Sequence, residues 1–532
     1  PVPPPGRALP SLDSPNNRIV TELMRLLMLA FVVTGALILY AAVNFRGLPA
    51  SDSMTDAALA RDIALGKGAI TSVILPYQLM FNAHMPIPEL RRPLAQPLLL
   101  AGFFSFLPMN DWVVIIPSAV FTIATAFVLF FLARLLFGDR AALMAVLLYS
   151  LHAGVLFYAT SGLTEPAFAF FVAAAFLLVV KGGRTPVFLG AGLLVGMAAL
   201  TRDAGQALMP GFLAYVAINQ KERRVKTTLL FLLGFALALA PHWARNFTLF
   251  GNPFTEIKFM LLAGFSSSFP EYTLEKSLVG TSPWPYILAN PLEYVRKFFS
   301  GLDYFYWSPS DNEFNPYFLA LFLVSLLRPQ QDRRAEGAKL LLLGLIALQI
   351  IASSISVRFY RYLFPLLPLA FPFVADFILY LIRREGFPSP LYRKIASGAA
   401  ALFLIYPFLG SLYQGFQARE LPTTGERAAP IVRLLEKHTA PSEVVMSDIP
   451  QMVAWYANRT AVHLPYRIDE AIAIDERYVP IKAILLTDGL PERYRYAPWW
   501  NEILVKEAPL PGFKLVEKYT SGQRRILLYL RQ

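Results

Sequence analysis

Val113-Val-Ile-Ile-Pro-Ser-Ala-Val-Phe-Thr-Ile-Ala-Thr-Ala-Phe-Val-Leu-Phe-Phe-Leu-Ala-Arg134 runs for 21 residues without a charge before Arg134 closes it. A helix needs about 20 apolar residues to cross the hydrocarbon layer of a bilayer, so this stretch reads as a membrane span. Similar runs recur along the chain, and the candidate spans are 22–43, 113–134, 141–158, 166–181, 186–201, 204–219, 227–244, 315–328, 338–356, 360–382 and 395–415. Residues 94–107 are apolar for too short a distance to cross. They are expected to lie along the membrane surface or dip into it.

Composition agrees. Of 532 residues, 56% are hydrophobic and only 16% charged, with a mean hydropathy of +0.48, whereas soluble domains carry roughly a quarter charged residues. That much apolar surface needs lipid as well as a core. The 42 Phe and 24 Tyr suit spans and their aromatic interfaces. Without a single cysteine the chain has no disulfide, thiol nucleophile or thiolate-bound metal. Its net charge of +12 is scattered between apolar runs, which suits loops that orient a membrane protein and argues against a nucleic-acid partner.

Basic residues accumulate on the cytoplasmic side of short loops. With the N-terminus inside, Arg134 and Arg140, Lys181 and Arg184, Lys221 to Lys226, Arg328 to Arg334, and Arg383 to Lys394 all fall there. Long loops 44–112 and 245–314 then lie outside, and so does the tail. The expected organisation is a disordered leader over 1–18, a membrane domain over 19–415, and an extracytoplasmic α/β domain over 416–532. In that tail charges become frequent and short apolar strands alternate with helical stretches. The whole is a polytopic α-helical protein with about 11 transmembrane helices plus juxtamembrane helices and a small C-terminal α/β soluble domain.

Ionisable groups at a membrane's edge are costly to desolvate and mark function by default. Asp52 and Asp56 follow the first span in Leu48-Pro-Ala-Ser-Asp52-Ser-Met-Thr-Asp56, and Glu165 sits in Thr164-Glu165-Pro166 at the outer mouth of another. Ser53 and Asp56 have capping-box spacing, so Asp56 reads as starting the helix that ends at Gly66, and Asp52 is left outside it. Glu165 ahead of Pro166 also suits a helix start.

These stretches resemble the GT-C glycosyltransferases, membrane enzymes that take a sugar from a polyprenyl-phosphate carrier, in the branch of protein O-mannosyltransferases and lipid A aminoarabinose transferases. Asp52 through Gly66-Lys67-Gly68 looks like that family's first outer loop, with Asp56 where relatives often carry Tyr. Arg92-Pro93-Leu94-Ala95-Gln96-Pro97 resembles its Pro-rich juxtamembrane helix. Leu163-Thr-Glu165, Gly196 to Arg202, Pro241 to Asn246 with Gly251-Asn-Pro253, and Arg358-Phe-Tyr-Arg361-Tyr362 continue in family order over roughly 20–415. Ser447-Asp448-Ile-Pro450 and Val453-Ala-Trp455-Tyr456 resemble the outer domains of some members.

The resemblance implies a hexosyl or pentosyl transferase of the plasma (inner) membrane, acting at its outer face on a polyprenyl-phosphate-linked sugar and a lipid, glycan or protein acceptor. Asp52 and Glu165 are the catalytic candidates, Asp52 as the base or acceptor orienter and Glu165 helping to hold the acceptor or a divalent ion. Asp56, His84, Arg92, Arg202, Arg245, Arg358, Arg361 and Tyr362 are the substrate-binding candidates, the arginines because a guanidinium fork suits a carrier phosphate. A divalent ion at Asp52 and Glu165 is the one cofactor left open. A polyprenyl-lipid flippase or a non-catalytic scaffold is the alternative.

Overall fold

The computed structural model describes residues 15–255, 257–307, 315–330, 332–383, 389–521 and 524–532. The first helix, α1 (Pro15–Asn44), leads to the first long loop, which holds α2 (Ser51–Ala64), the two-residue strand β1 (Val73–Ile74), α3 (Ala95–Phe104) and α4 (Asp111–Val114). There follow α5 (Ile116–Phe137), α6 (Asp139–Ser150), α7 (Ala153–Ala159), α8 (Glu165–Lys181), α9 (Pro186–Thr201), α10 (Ala204–Asn219) and α11 (Arg224–Phe250). The second long loop carries α12 (Trp284–Ala289) and α13 (Pro291–Trp307). The membrane part then closes with α14 (Pro316–Leu327), α15 (Arg333–Ile355), α16 (Phe371–Arg383) and α17 (Pro390–Gln417).

The eleven apolar segments are helical over most of their lengths, with 141–158 broken between α6 and α7 and residues 360–370 forming tighter 3-10 turns ahead of α16. Among the described residues, five stretches are long and apolar enough to cross a bilayer: Val20–Asn44, Asp111–Phe137, Lys221–Phe250, Arg333–Ile355 and Phe364–Ile382. The α6–α7 pair, bent by 64°, adds a sixth if it is one span. Large apolar side chains such as Phe31 and Leu327 are 79% and 83% exposed, an arrangement that lipid accommodates and water does not. α3 has 10 residues, a rise of about 15 Å, half what a crossing needs. Of the leader expected over 1–18, residues 1–14 lie outside the described residues, and 15–18 already belong to α1.

Small residues set the tightest helix contact. Gly192 and Gly196 of α9 face α11, where a Cβ on Gly192 would come within 1.9 Å of the Phe231 carbonyl oxygen. Gly234 returns the fit, since its Cβ would meet the Leu189 carbonyl oxygen at 2.1 Å. Such glycines let two backbones approach where lipid offers no hydrophobic drive of its own.

The tail folds as α18 (Thr424–His438), β2 (Val444–Ser447), α19 (Pro450–Tyr456), β3 (Ala461–His463), α20 (Ile468–Arg477), β4 (Ile481–Thr487), α21 (Leu490–Arg493), α22 (Pro498–Lys506), β5 (Phe513–Ser521) and β6 (Arg524–Arg531). The sheet order is β1-β3-β2-β4-β6-β5. Its first four strands are parallel, and β5 and β6 are antiparallel. Alternate residues of β2 face opposite cores: Val444 and Met446 pack with α20 and α22, Val445 with α18 and α19. The edge strand β1 comes from the first long loop, pairing Val73 with Ala461 and Ile74 with Val462. A boundary at 416 therefore misses one strand. α2 and the tail's sheet are held together by only a few residues of chain.

Candidate active site

α2 begins at Ser51, with Ala50 as its cap residue and no side-chain capping bond. The capping-box expectation is corrected: Ser53 donates instead to the Ser161 carbonyl at 2.6 Å, and Asp56 reaches across to Arg92. Asp52 is accordingly inside the helix, in its first turn. Four residues apart, Asp52 and Asp56 share one face of α2.

Arg92 is brought to that face by a turn that Glu89 fixes. The buried Glu89 carboxylate accepts the backbone N–H groups of Arg91 and Arg92 at 2.7 and 2.8 Å. Arg91 turns the other way, to Glu275 at 3.0 Å. Arg92 then binds Asp56 at 2.8 Å with one nitrogen and Asp52 with another. The second oxygen of Asp52 accepts from Arg361, whose Nε lies 3.6 Å from Glu165. Glu165 pairs with Arg202 at 2.5 Å, and Arg202 also donates to Thr164 at 3.0 Å. The Arg202 guanidinium stands 4.9 Å from the ring centre of Tyr362. The result is an alternating chain of charges: Asp56, Arg92, Asp52, Arg361, Glu165, Arg202. Its three cations balance its three carboxylates.

Burial differs along this chain and separates the roles of its acids. The Asp52 side chain is 27% exposed and faces a cavity of about 1490 Å³ between the membrane part and the tail. Asp56, Arg92, Arg202, Arg361 and Tyr362 also line it. Glu165 is fully buried and does not reach the cavity wall. It can hold Arg202 and Arg361 in place, but an acceptor cannot touch it. Burial alone would raise the Asp52 carboxyl, but Arg92 and Arg361 outweigh it and hold the group well below the usual carboxylate range. Asp56 behaves oppositely. Its burial is offset only in part by Arg92, the charge of Asp52 adds to it, and the group is pushed up to about 6.

Three expected binding residues lie elsewhere. His84 is exposed on the first long loop and does not line the cavity. Arg245 donates to the Glu89 carbonyl, bracing the loop from behind. Arg358 is tied to α13 through the Ser300 hydroxyl at 2.9 Å and the Lys297 carbonyl at 3.1 Å. None of the three lines the cavity, and the two guanidiniums at span ends are held by backbone and hydroxyl oxygens instead. Sequence reasoning missed Glu89, whose one signal is its place just before the Arg pair.

A divalent ion at Asp52 and Glu165 does not suit this donor set. Hard cations take six or more oxygens, yet both Asp52 oxygens and one Glu165 oxygen are held by guanidiniums. Among the described residues no group of three or more His, Asp or Glu side chains converges.

Residues 91–244 match the family described as dolichyl-phosphate-mannose-protein mannosyltransferase. No curated protein matches the sequence. Among solved structures, ArnT from Cupriavidus metallidurans bound to undecaprenyl phosphate is 12% identical with a TM-score of 0.52, over 97% of this chain and 98% of that one. The oligosaccharyltransferase AglB from Archaeoglobus fulgidus, in complex with an inhibitory peptide and a dolichol-phosphate, is 14% identical with a TM-score of 0.56, over 93% of this chain and 73% of that one. A mycobacterial arabinofuranosyltransferase, AftD, is 12% identical with a TM-score of 0.51, over 94% of this chain and 41% of that one. The family match and the shared fold bear out the resemblance to the GT-C glycosyltransferases.

Proposed function

We propose that this chain, which has the fold of the GT-C glycosyltransferases, transfers a sugar from a polyprenyl-phosphate carrier to an acceptor hydroxyl at the outer face of a plasma membrane. The observation that carries the reading is the charge chain from Asp56 to Arg202, opening on one cavity at the membrane's edge. A carrier phosphate is anionic, stays at the headgroup level and needs guanidiniums that are already aimed. Arg361, Arg92 and Arg202 meet that need.

The chemistry is a displacement at the anomeric carbon. The acceptor oxygen forms the new glycosidic bond, the bond to the carrier phosphate breaks, and the acceptor's proton passes to a base. Asp52 is the base, because it is the acid that the cavity exposes. In the resting protein two guanidiniums make it a weak one. When a carrier phosphate engages Arg361 and Arg92, those charges are shared, and Asp52 rises toward the range in which a carboxylate accepts a proton. Asp56 holds Arg92 from behind, Glu165 holds Arg202 and Arg361, and the arginines neutralise the departing phosphate. A flippase is disfavoured, since transporters place their sites at mid-membrane between repeated halves.

The decisive experiment is transfer by purified protein from a panel of polyprenyl-phosphate sugars: hexosyl and pentosyl donors are both offered, and no product from any of them ends the proposal. Eleven crossings with a cytoplasmic N-terminus are proposed with it, and the absence of native cysteines makes this testable with single cysteines. One at Ser442 in the tail is expected to react with an impermeant thiol reagent in intact cells, and one at Gln220, between α10 and α11, to be protected. The reverse pattern overturns the orientation.

A further inference from the structure

The tail presents the carboxyl edge of its parallel strands to the same cavity. Leu75 after β1, His463 at the end of β3, Asp448 after β2 and Thr487 at the end of β4 all line it. In open α/β sheets ligands bind beyond the carboxyl ends, where neighbouring strands send their connections to opposite faces. That reversal falls between β2 and β4. The chain leaving β2 enters α19, on the face packed with α18, and the chain leaving β4 enters α21 and α22 on the other.

Polar groups are built into this crevice. Asp448, 2% exposed, accepts the Thr487 backbone N–H at 3.0 Å with one oxygen. With the other it accepts the Thr487 hydroxyl at 2.7 Å and Arg493 at 3.3 Å. His463, 9% exposed, has Nδ1 2.8 Å from the Tyr494 hydroxyl, which itself donates to the Leu464 carbonyl at 2.5 Å. With that hydroxyl proton committed, Nδ1 must carry the donating hydrogen, which leaves Nε2 the acceptor of a neutral ring. Burial and then Lys276 hold His463 well below its ordinary value and keep it neutral. Lys276, from the second long loop, donates to the Arg493 carbonyl at 2.7 Å, and burial lowers it to about 8.

Burying a carboxylate, a hydroxyl and an imidazole costs free energy that packing alone does not require. The signs are mixed: Arg427, Arg493, Arg524 and Lys276 stand with Asp448, Asp488 and Glu492 along the wall. An anion would meet those three carboxylates, and a purely apolar group would leave the polar groups at this end unpaired, although Ile449 and Met452 line the wall beside them. A neutral polyol, which donates and accepts at each hydroxyl, matches the set. The cavity also exceeds the roughly 300–1,000 Å³ typical of one small ligand.

We propose that the crevice between β2 and β4 is a second subsite, which takes a neutral saccharide portion of the acceptor while the membrane-side arginines hold the carrier. This rests on the transferase reading. Its test uses the full chain in lipid nanodiscs, with saturation-transfer NMR of methyl mannopyranoside, methyl glucopyranoside and methyl arabinofuranoside. Inorganic phosphate serves as competitor, and undecaprenyl phosphate binding is measured in parallel. The expected result is saturable binding of at least one glycoside, weakened about tenfold or more in Arg493→Ala and Lys276→Met, as one lost charge-assisted hydrogen bond gives. Unchanged undecaprenyl phosphate binding in both variants shows that they are folded. If undecaprenyl phosphate binds but no glycoside does, if phosphate displaces the glycoside, or if both variants bind it like wild type, the subsite is refuted and the transferase reading is untouched. Failure of the wild-type chain to bind undecaprenyl phosphate overturns both.

Discussion

Asp52→Asn is expected to lower sugar transfer by about 10²–10⁴-fold, the usual cost of losing a positioned base, with carrier binding and expression close to wild type. The substitution keeps the side chain's size and one acceptor oxygen but cannot take the acceptor's proton. Folding should tolerate it, because neither guanidinium is stranded: Arg92 keeps Asp56 at 2.8 Å and Arg361 keeps Glu165 at 3.6 Å. Asp56→Asn is the comparison. Its carboxyl lies behind Arg92 with one oxygen buried and lacking a hydrogen-bond partner, so the amide still accepts from Arg92 and transfer should fall far less. Single-turnover transfer rates of the two variants decide the matter. A dead Asp56 variant beside an active Asp52 variant would move the base one helical turn along α2. Normal transfer by both would remove the catalytic claim.

Arg361→Ala is expected to weaken carrier-phosphate binding by about 10–150-fold, the equivalent of the roughly 1.5–3 kcal/mol of a hydrogen bond to a charged group. Lys at this position should recover only part of that, since an ammonium cannot form the two-pronged contact. A second readout follows from the charge chain. Arg361 is one of the cations that hold Asp52 low, so its removal raises the Asp52 carboxyl. Activity needs that carboxyl ionised, and the acid limb of the pH–rate profile should therefore move to higher pH. Titration of undecaprenyl phosphate and a pH profile of the Ala variant test both parts. An unchanged affinity would place the carrier phosphate on Arg92 and Arg202 instead.

The membrane helices were legible because a run such as 113–134 announces itself by length alone: one segment's own apolarity decides whether it prefers lipid. α3, at 10 residues, is short for the same local reason. Residues whose importance follows from a local break in that pattern, an acid or arginine beside an apolar run, were also visible. Asp52, Asp56, Arg92, Glu165, Arg202 and Arg361 were all named, and the fold joins them.

Partnership was not legible. Ser53 and Asp56 satisfy a capping pattern, but the helix starts earlier and both side chains bond across the fold, one to Ser161 and the other to Arg92. Arg245 and Arg358 look like Arg361 in sequence, yet they end on carbonyl and hydroxyl oxygens. Glu89, which aims Arg92, is marked in sequence only by its place just before the Arg pair.

By itself, then, the sequence determined a membrane protein of many helices, a separate charged tail and the set of ionisable groups at the membrane's edge, because hydrophobic free energy is nearly additive along the chain. Tertiary structure alone decided which arginine meets which acid, that Glu165 is buried while Asp52 is open, and that β1 of the first long loop completes the tail's sheet above α2. Those outcomes depend on the distance and burial of groups tens to hundreds of residues apart, and the strength of a charge pair is set by its surroundings rather than by its neighbours in sequence.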